Sequence, residues 1–178
     1  WNLHDRHVRT QAIMTQLFTA QELSTASVDE INEKINTAFQ YDDFLWQKQN
    51  NIRISYKKRA EGLHKVLYQC PACGAEYKMT SCGTQLHCEA CGKAWEMTEY
   101  GELSALSGKT EFAHIPDWYE WERANVRAEV AAGTYRFSGP VRVESLPNAK
   151  GYIHLGEGTM THDMNGFSVQ VTGEYGSF

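Results

Sequence analysis

Four of the five cysteines in this chain form two C-x-x-C pairs, which are separated by fourteen residues. In each pair, a glycine follows the second cysteine. This spacing is typical of a structural zinc ribbon, in which two tight turns present four thiolates to one tetrahedral ion. We therefore predict one structural Zn²⁺ ion, in a closed site with no coordination position for a substrate, bound by Cys70, Cys73, Cys88 and Cys91.

The cysteine pairs and their neighbours leave some alternatives open. Two disulfides, four unrelated thiols or an electron-transfer iron site would use the same pairs, but thiolate ligands and one spare thiol fit a reducing cytosol better than a disulfide scaffold. Cys82 lies in the predicted hairpin turn, where we interpret it as an inert thiol rather than a redox group. His87 adjoins Cys88 and is a candidate substitute ligand, but the complete cysteine pair favours a packing role.

Composition and charge argue against several classes of protein. The 178 residues suit one large domain or two small ones, and they are enough to bury a core. A net charge of −5 and a pI near 5.8 argue against a primary nucleic-acid binder. Mean hydropathy is −0.53, and no apolar run approaches the ~20 residues of a membrane-spanning helix. The chain opens on Trp1 and closes in a strand-like pattern, so we interpret it as a piece of a longer polypeptide.

The residue patterns predict an α+β chain in three segments. Residues 1–66 form an N-terminal helical segment, and residues 67–106 form the four-cysteine zinc ribbon with three short antiparallel strands. Residues 107–178 form one amphipathic Trp-rich helix followed by C-terminal antiparallel β hairpins, and we expect this last β unit to be truncated.

Capping signals locate the helices of the first segment. Ser27 and Glu30 form a capping box that starts a helix with apolar residues at helical spacing. A short turn that opens at Thr19 precedes this helix, and another helix begins at Asp42 or Asp43. We also expect a strand or linker over 1–18, a strand over 52–56 and a short helix over 59–66.

The later elements follow from alternation and from turn residues. Ribbon strands are expected over 75–79, 85–88 and 93–97, with a turn at 81–84, and tail strands over 135–137, 141–145, 152–155 and 167–172. Asn165-Gly166 predicts a hairpin turn in the tail. The Trp-rich helix is predicted over 117–132, between Pro116 and Gly133. We interpret its aromatic cluster of Trp118, Tyr119 and Trp121 as core, with an exposed partner or lipid surface as the alternative.

No catalytic residue is assigned. His114 and Asp117 could form a His–Asp pair, but Asp117 is better used at the start of a helix. His162 adjoins the predicted hairpin turn, and turn chemistry explains its neighbour Asp163. The chain has no G-x-S-x-G elbow, no phosphate-binding Gly-rich loop and no H-E-x-x-H motif. The basic run at 57–59 is interpreted as a solvated face, with contact to phosphate or an anionic membrane surface as the alternative.

Four stretches of the chain carry a family resemblance. They are SVDEIN at 27–32, RAEGLHKVLYQCPAC at 59–73, CEACGK at 88–93 and EFAHIPDWYEW at 111–121. Together they resemble the C-terminal portion of the bacterial 1-acyl-sn-glycerol-3-phosphate (lysophospholipid) acyltransferases, and the resemblance covers nearly the whole chain. It implies an upstream acyltransferase domain with a His-x4-Asp motif, whose histidine is the general base, and a Glu-Gly-Thr phosphate motif.

Neither motif of that family transfers to this chain. No histidine has Asp five positions later; those positions hold Arg9, Ala12, Gln69, Gly92, Tyr119, Thr159 and Phe167. Residues 157–159 match the letters of the phosphate motif without its flanking residues, and we interpret them as a turn.

The chain is therefore expected to be a non-catalytic C-terminal structural, regulatory or interaction module of such an acyltransferase. Its implied partner is the upstream domain of the same polypeptide, and its implied location is the cytoplasm, at the inner membrane face through that domain. The alternatives are a nucleic-acid- or protein-binding zinc ribbon unrelated to lipid metabolism, and an independent hydrolase or transferase that uses His114 or His162.

Overall fold

A computed structural model describes residues 12–173 and 176–177, and in this part of the chain it contains four α-helices and two antiparallel four-stranded sheets. The predicted α+β class is confirmed. The structure divides into two compact units, one ending at Tyr119 and the other beginning at Glu120, and the three predicted segments remain a prediction. A strand or linker is predicted over 1–18. Residues 1–11 of this range lie outside the described residues, and residues 12–19 form neither helix nor strand.

Helices α1 (Ala20–Thr25) and α2 (Val28–Ala38) both begin with a capping box. At α2, the Glu30 N–H donates to the Ser27 hydroxyl at 3.2 Å, and the Ser27 N–H donates to the Glu30 carboxylate at 2.7 Å. The box that starts α1 has the same two distances. Neither helix buries a residue, so local hydrogen bonds specify both helices more than packing does. The capping box predicted at Ser27 is confirmed.

Helix α3 (Asp43–Gln49) is attached to the rest of the first unit by Gln47. The Gln47 amide, which is 8% exposed, donates to the carbonyls of Ile52 and Glu99 at 3.0 Å each. The strand predicted over 52–56 is wrong, because its backbone bonds do not form a ladder. The Ile54 N–H donates to the Glu99 carbonyl at 2.8 Å, and the Ile52 N–H donates back to the Gln47 carbonyl at 2.9 Å. The helix predicted over 59–66 reduces to a 3₁₀ turn, Leu63–Lys65, because Gly62 has a φ of +90°.

The first sheet has the strand order β1 (Met79–Cys82), β2 (Gln85–Cys88), β3 (Ala94–Met97) and β4 (Leu103–Ala105). The predicted count of three strands is wrong by one, because the three residues of β4 are too few to produce a visible alternation. The first strand also begins at residue 79 rather than 75. Its hairpin turn consists of Gly83 and Thr84 alone.

The core of the first unit lies on one face of this sheet. Leu86 and Trp95 are paired across β2 and β3, so their side chains share a face, and both are fully buried. Helix α4 (Ile115–Ala131) begins two residues earlier than predicted and contributes Trp118, which is 0% exposed. The ring centroid of Trp118 lies 5.0 Å from that of Trp95, and the planes of the two rings meet at 63°. The core interpretation is thus confirmed for Trp118, whereas Tyr119 is exposed.

The second unit contains a sheet in the order β5 (Arg136–Ser145), β6 (Ile153–Asp163), β7 (Gly166–Gly173) and β8 (Gly176–Ser177). The two strands predicted over 135–145 are one strand, which tolerates Pro140 because β5 is at the edge of the sheet. The turn interpretation of residues 157–159 is wrong, since they pair with both β5 and β7.

The register of the second sheet separates an apolar face from a polar one. Val141 lies opposite Gly158, and Met160 lies opposite Val169, so these side chains project to the same side. Thr, Ser and charged side chains alternate with them on the other side. The predicted hairpin has its turn at residues 164–165, where the Asn165 N–H donates to Asp163 Oδ1 at 2.8 Å. Within the described ranges, no helix has the length and apolarity that a bilayer crossing requires.

Candidate metal centre

The two C-x-x-C turns are built by matching backbone hydrogen bonds. In the first turn, the Gly74 N–H donates to the Cys70 carbonyl at 2.8 Å, and the Cys70 N–H donates to the Ala75 carbonyl at 2.9 Å. The second turn, from Cys88 to Lys93, repeats both bonds at 2.8 and 2.9 Å. Each turn therefore presents two sulfur atoms in the same way, and we call the turns at 70–75 and 88–93 the first and second knuckle.

A glycine with positive φ closes each knuckle. Gly74 has a φ of +76° and Gly92 a φ of +74°, which is the left-handed region that glycine adopts without steric cost. A Cβ atom added at either position would meet no heavy atom within 4 Å. Backbone conformation, and not lack of space, is the reason that glycine suits both positions.

The sheet brings the two knuckles together. Cys88 is the last residue of β2 and is paired with Met79 of β1. The first knuckle precedes β1 and is closed by an isolated bridge between Gln69 and Glu76. The Glu89 N–H, in the second knuckle, donates to the carbonyl of Lys78, next to β1, at 2.8 Å. The short hairpin thus carries both turns to one end of the sheet.

The four cysteine sulfurs form one compact cluster, and all of them lie within 4.8 Å of one another. Sγ of Cys70 is 3.8 Å from Sγ of Cys91, and Sγ of Cys73 is 3.8 Å from Sγ of Cys88. A tetrahedron with metal–sulfur bonds of ~2.3 Å has edges of about 3.8 Å. The cluster could therefore hold a metal ion, and it contains the four cysteines predicted from the sequence.

Burial differs within the cluster. Cys70 and Cys88 are 0% and 1% exposed, whereas Cys73 and Cys91 are exposed. Burial raises the pKa of the Cys70 thiol to about 12, although the backbone N–H groups of Ala72 and Cys73 act in the opposite direction. A divalent cation would reverse the effect of burial, because a coordinating thiol loses its proton. The donor set of four soft sulfurs fits zinc or iron.

An ion pair that local sequence patterns do not reveal supports the second knuckle. The Lys93 ammonium pairs with the Glu111 carboxylate, and both side chains are less than one-fifth exposed. The Trp95 indole N–H donates to the same carboxylate at 3.3 Å. Burial acts to raise the pKa of Glu111, but the hydrogen bonds to its carboxylate and the positive charge of Lys93 together outweigh burial, and the pKa lies below its ordinary value. The pair joins the segment before α4 to the ribbon.

The other metal-ligand and thiol candidates lie outside the sulfur cluster. His87 is paired with Thr80 across the first sheet and is not a member of the cluster. Cys82 is exposed at the end of β1. The solvated interpretation of the basic run is wrong for Arg59, whose side chain is 12% exposed. Its guanidinium donates to the Met97 carbonyl at 2.6 Å and pairs with Glu96 at 3.0 Å.

The histidines considered for catalysis have structural contacts. His114 Nε2 lies 2.7 Å from Asp42 Oδ2, and Asp42 also caps α3, so the partner is not Asp117, which lies in the first turn of α4. His162 stacks on Phe167 with ring centroids 3.7 Å apart, and its Nδ1 lies 3.0 Å from the Tyr135 hydroxyl. These contacts tie helix ends and strand ends together.

Sequence patterns also missed a serine–histidine contact. Ser81 Oγ accepts from the Gly62 N–H at 2.9 Å and lies 2.7 Å from His64 Nδ1, to which its hydroxyl can donate. Among the described residues, no carboxylate pairs with His64, so the contact lacks the third member of a triad. A shallow cavity of about 420 Å³ in the second unit is lined mainly by apolar side chains, including Val141, Val143 and Val171. Neither feature assembles a nucleophile, a base and an oxyanion site.

Comparison with models of protein families, with curated proteins and with solved structures finds no match for this chain.

Proposed function

We propose that this chain is a non-catalytic module whose central unit is organised by one structural Zn²⁺ ion at Cys70, Cys73, Cys88 and Cys91. The observation that carries the proposal is the pair of 3.8 Å sulfur contacts between the knuckles, inside a cluster no wider than 4.8 Å. Four protein sulfurs complete tetrahedral coordination and leave no position for substrate or water. The ion would therefore act on folding, where sites of this kind contribute on the order of 10 kcal/mol.

Zinc is proposed rather than iron because two C-x-x-C pairs at this spacing are typical of structural zinc ribbons. Iron with the same ligands would supply an electron-transfer centre instead. Metal analysis of the purified chain separates the two, and so does absorption, because iron–thiolate centres are coloured and zinc–thiolate centres are not. We expect one zinc ion per chain and no visible absorption.

The proposed ion would stabilise contacts outside the ribbon sheet as well. Gln69, which directly precedes the first knuckle, accepts a hydrogen bond at 2.9 Å from the indole N–H of Trp118 on α4. Lys93, the last residue of the second knuckle, pairs with Glu111. Ordering both knuckles would hold the start of α4 and the segment before it against the sheet. The proposed role is architectural, as a support for neighbouring helices.

Removal of the metal tests this role. We expect a strong chelator, or the substitution Cys70→Ser, to abolish the near-ultraviolet circular dichroism of Trp95 and Trp118, and we expect added zinc to restore it after chelation only. Cys82→Ser is the matched control, because Cys82 lies outside the sulfur cluster, and it should leave metal content and spectrum unchanged. A metal-free chain with an unaltered spectrum and unfolding midpoint would contradict the proposal.

The wider role follows from the four resembling stretches, and we propose it on that basis alone. The module would belong to a glycerolipid acyltransferase and would serve structure, regulation or interaction beside the upstream catalytic domain, in the cytoplasm and at the inner membrane face. The test incubates this chain with an acyl-CoA or acyl carrier protein and lysophosphatidic acid, and we expect no acyl transfer. Transfer by the chain alone would refute the non-catalytic role, and submicromolar, salt-dependent binding to DNA or RNA would favour a nucleic-acid-binding ribbon instead.

A further inference from the structure

The sulfur cluster combines exposed and buried cysteines in a specific order. Each of the 3.8 Å contacts joins one exposed cysteine to one buried cysteine of the other knuckle, Cys91 to Cys70 and Cys73 to Cys88. Cysteines that react with peroxides are thiolates, are accessible and lie next to a second, resolving cysteine. Metal binding would keep all four sulfurs as thiolates, so each contact has all three properties.

We propose that this metal centre is an oxidation site for hydroperoxides, in which Cys73 and Cys91 are attacked first and Cys88 and Cys70 resolve them into disulfides between the knuckles. The inference rests on the proposed metal site and adds a modification to it. The oxidant is a small hydroperoxide, such as hydrogen peroxide, that reaches the exposed side of the cluster. The product is a metal-free ribbon with covalently joined knuckles.

The chemistry balances for each pair of cysteines. The exposed thiolate attacks one oxygen of hydrogen peroxide, the O–O bond breaks, hydroxide leaves and the sulfur becomes a sulfenic acid. The buried thiolate then attacks that sulfur, an S–S bond forms and a second hydroxide leaves. Two protons convert both hydroxides to water. Two thiolates thus lose two electrons to one peroxide, and the loss of two ligands releases the metal.

The proposed disulfides follow the two 3.8 Å sulfur contacts between the knuckles. Each contact between the knuckles is already 3.8 Å long, and a disulfide needs an S–S distance of ~2.05 Å. The two contacts use different cysteines, so both disulfides fit in one chain. Oxidation would then replace the metal by two covalent links between the same two turns, and the ribbon would keep its closed end.

The experiment treats the zinc-loaded chain with hydrogen peroxide and measures zinc release with a chromogenic chelator, together with peptide mapping of the disulfides. Cys82 of the same chain is the internal comparison, because it is exposed and lies outside the cluster. A parallel treatment of the Cys82→Ser variant maps the disulfides without exchange with the Cys82 thiol. We expect loss of the bound zinc at peroxide doses no higher than those that oxidise half of Cys82, with Cys70–Cys91 and Cys73–Cys88 as products, and recovery of zinc binding after reduction.

Three results would overturn the proposal. The first is zinc that stays bound when Cys82 is fully oxidised, because the cluster would then be inert. The second is disulfides within each knuckle, and the third is irreversible sulfonic acids, because both exclude resolution between the knuckles. A purified chain without metal would instead refute the structural site itself, and this result is visible before any peroxide is added.

Discussion

Replacement of Trp118 by phenylalanine should measure how strongly α4 is attached to the cysteine-cluster end of the first sheet. The indole buries roughly 40 Å² more than a phenyl ring, and at about 25 cal/mol per Å² this difference is about 1 kcal/mol. The indole N–H also donates to the Gln69 carbonyl at 2.9 Å, and loss of one such bond costs about 1 kcal/mol. We expect the free energy of unfolding of the first unit to fall by about 2 kcal/mol.

Chemical denaturation of the zinc-loaded chain, followed by near-ultraviolet circular dichroism, measures this loss of free energy. In thermal unfolding, the corresponding decrease in Tm is roughly 8 °C. Trp118→Ala should cost more, about 3–5 kcal/mol, because it leaves a large cavity beside Trp95. Trp46→Phe is the matched control, since Trp46 is only half-buried on α3. The reasoning fails if Trp118→Phe and Trp46→Phe are equally mild, since the buried indole and its hydrogen bond would then contribute nothing specific.

Three further predictions concern acid stability, the knuckle turns and the N-terminal helices. Because the pKa of Glu111 is lowered in the folded chain, its ion pair stabilises the fold at pH values above the ordinary carboxyl pKa of 4.5, and this stabilisation is lost as the pH falls through the lower folded value. In Glu111→Gln, the free energy of unfolding should therefore be about 2 kcal/mol lower at neutral pH and should no longer decrease with acid at this site. Gly74→Ala and Gly92→Ala should each lower the free energy of unfolding by about 1 kcal/mol and weaken zinc affinity in a competition titration. Gly108→Ala is the control: its φ of +72° imposes the same backbone strain outside the knuckles, so it should lower stability and leave zinc affinity unchanged. Ser27→Ala should cost α2 about 1 kcal/mol and lower the far-ultraviolet helical signal, and a shift in the near-ultraviolet unfolding midpoint would contradict the observation that α2 buries no residue.

Features encoded by neighbouring residues were predictable from the sequence. The capping box at Ser27 and Glu30 needs only residues three apart, and the structure contains it. The cysteine spacing likewise reports on two local turns, and the four sulfurs are clustered. The sequence places a helix start at Asp42 or Asp43, and the Asp42 carboxylate accepts from the Leu45 N–H at 2.9 Å. In each case the hydrogen bonds that define the structure close within a few residues.

Features that depend on distant partners were not predictable. His114 is bonded to Asp42, 72 positions away, and no local pattern distinguishes that partner from the nearby Asp117. The segment at 52–56 alternates like a strand, but among the described residues it pairs with no strand of either sheet. The glycine in the run at 157–159 favours a turn by local pattern, yet Gly158 lies in a central strand, where a Cβ would be only 2.1 Å from the Gln170 carbonyl.

The short hairpin between the knuckles has a consequence for the order of folding. Its two sulfur contacts join cysteines only 15 and 21 positions apart in the chain, so the loop that metal binding must close is small and its entropy cost is modest. The attachment of α3 through Gln47 spans 52 positions, and that of α4 through Trp118 spans 49. Contacts of low sequence separation form early. A metal-bound hairpin would therefore be an early nucleus of the first unit, on which both helices assemble later, and a chain synthesised without metal would lack that nucleus.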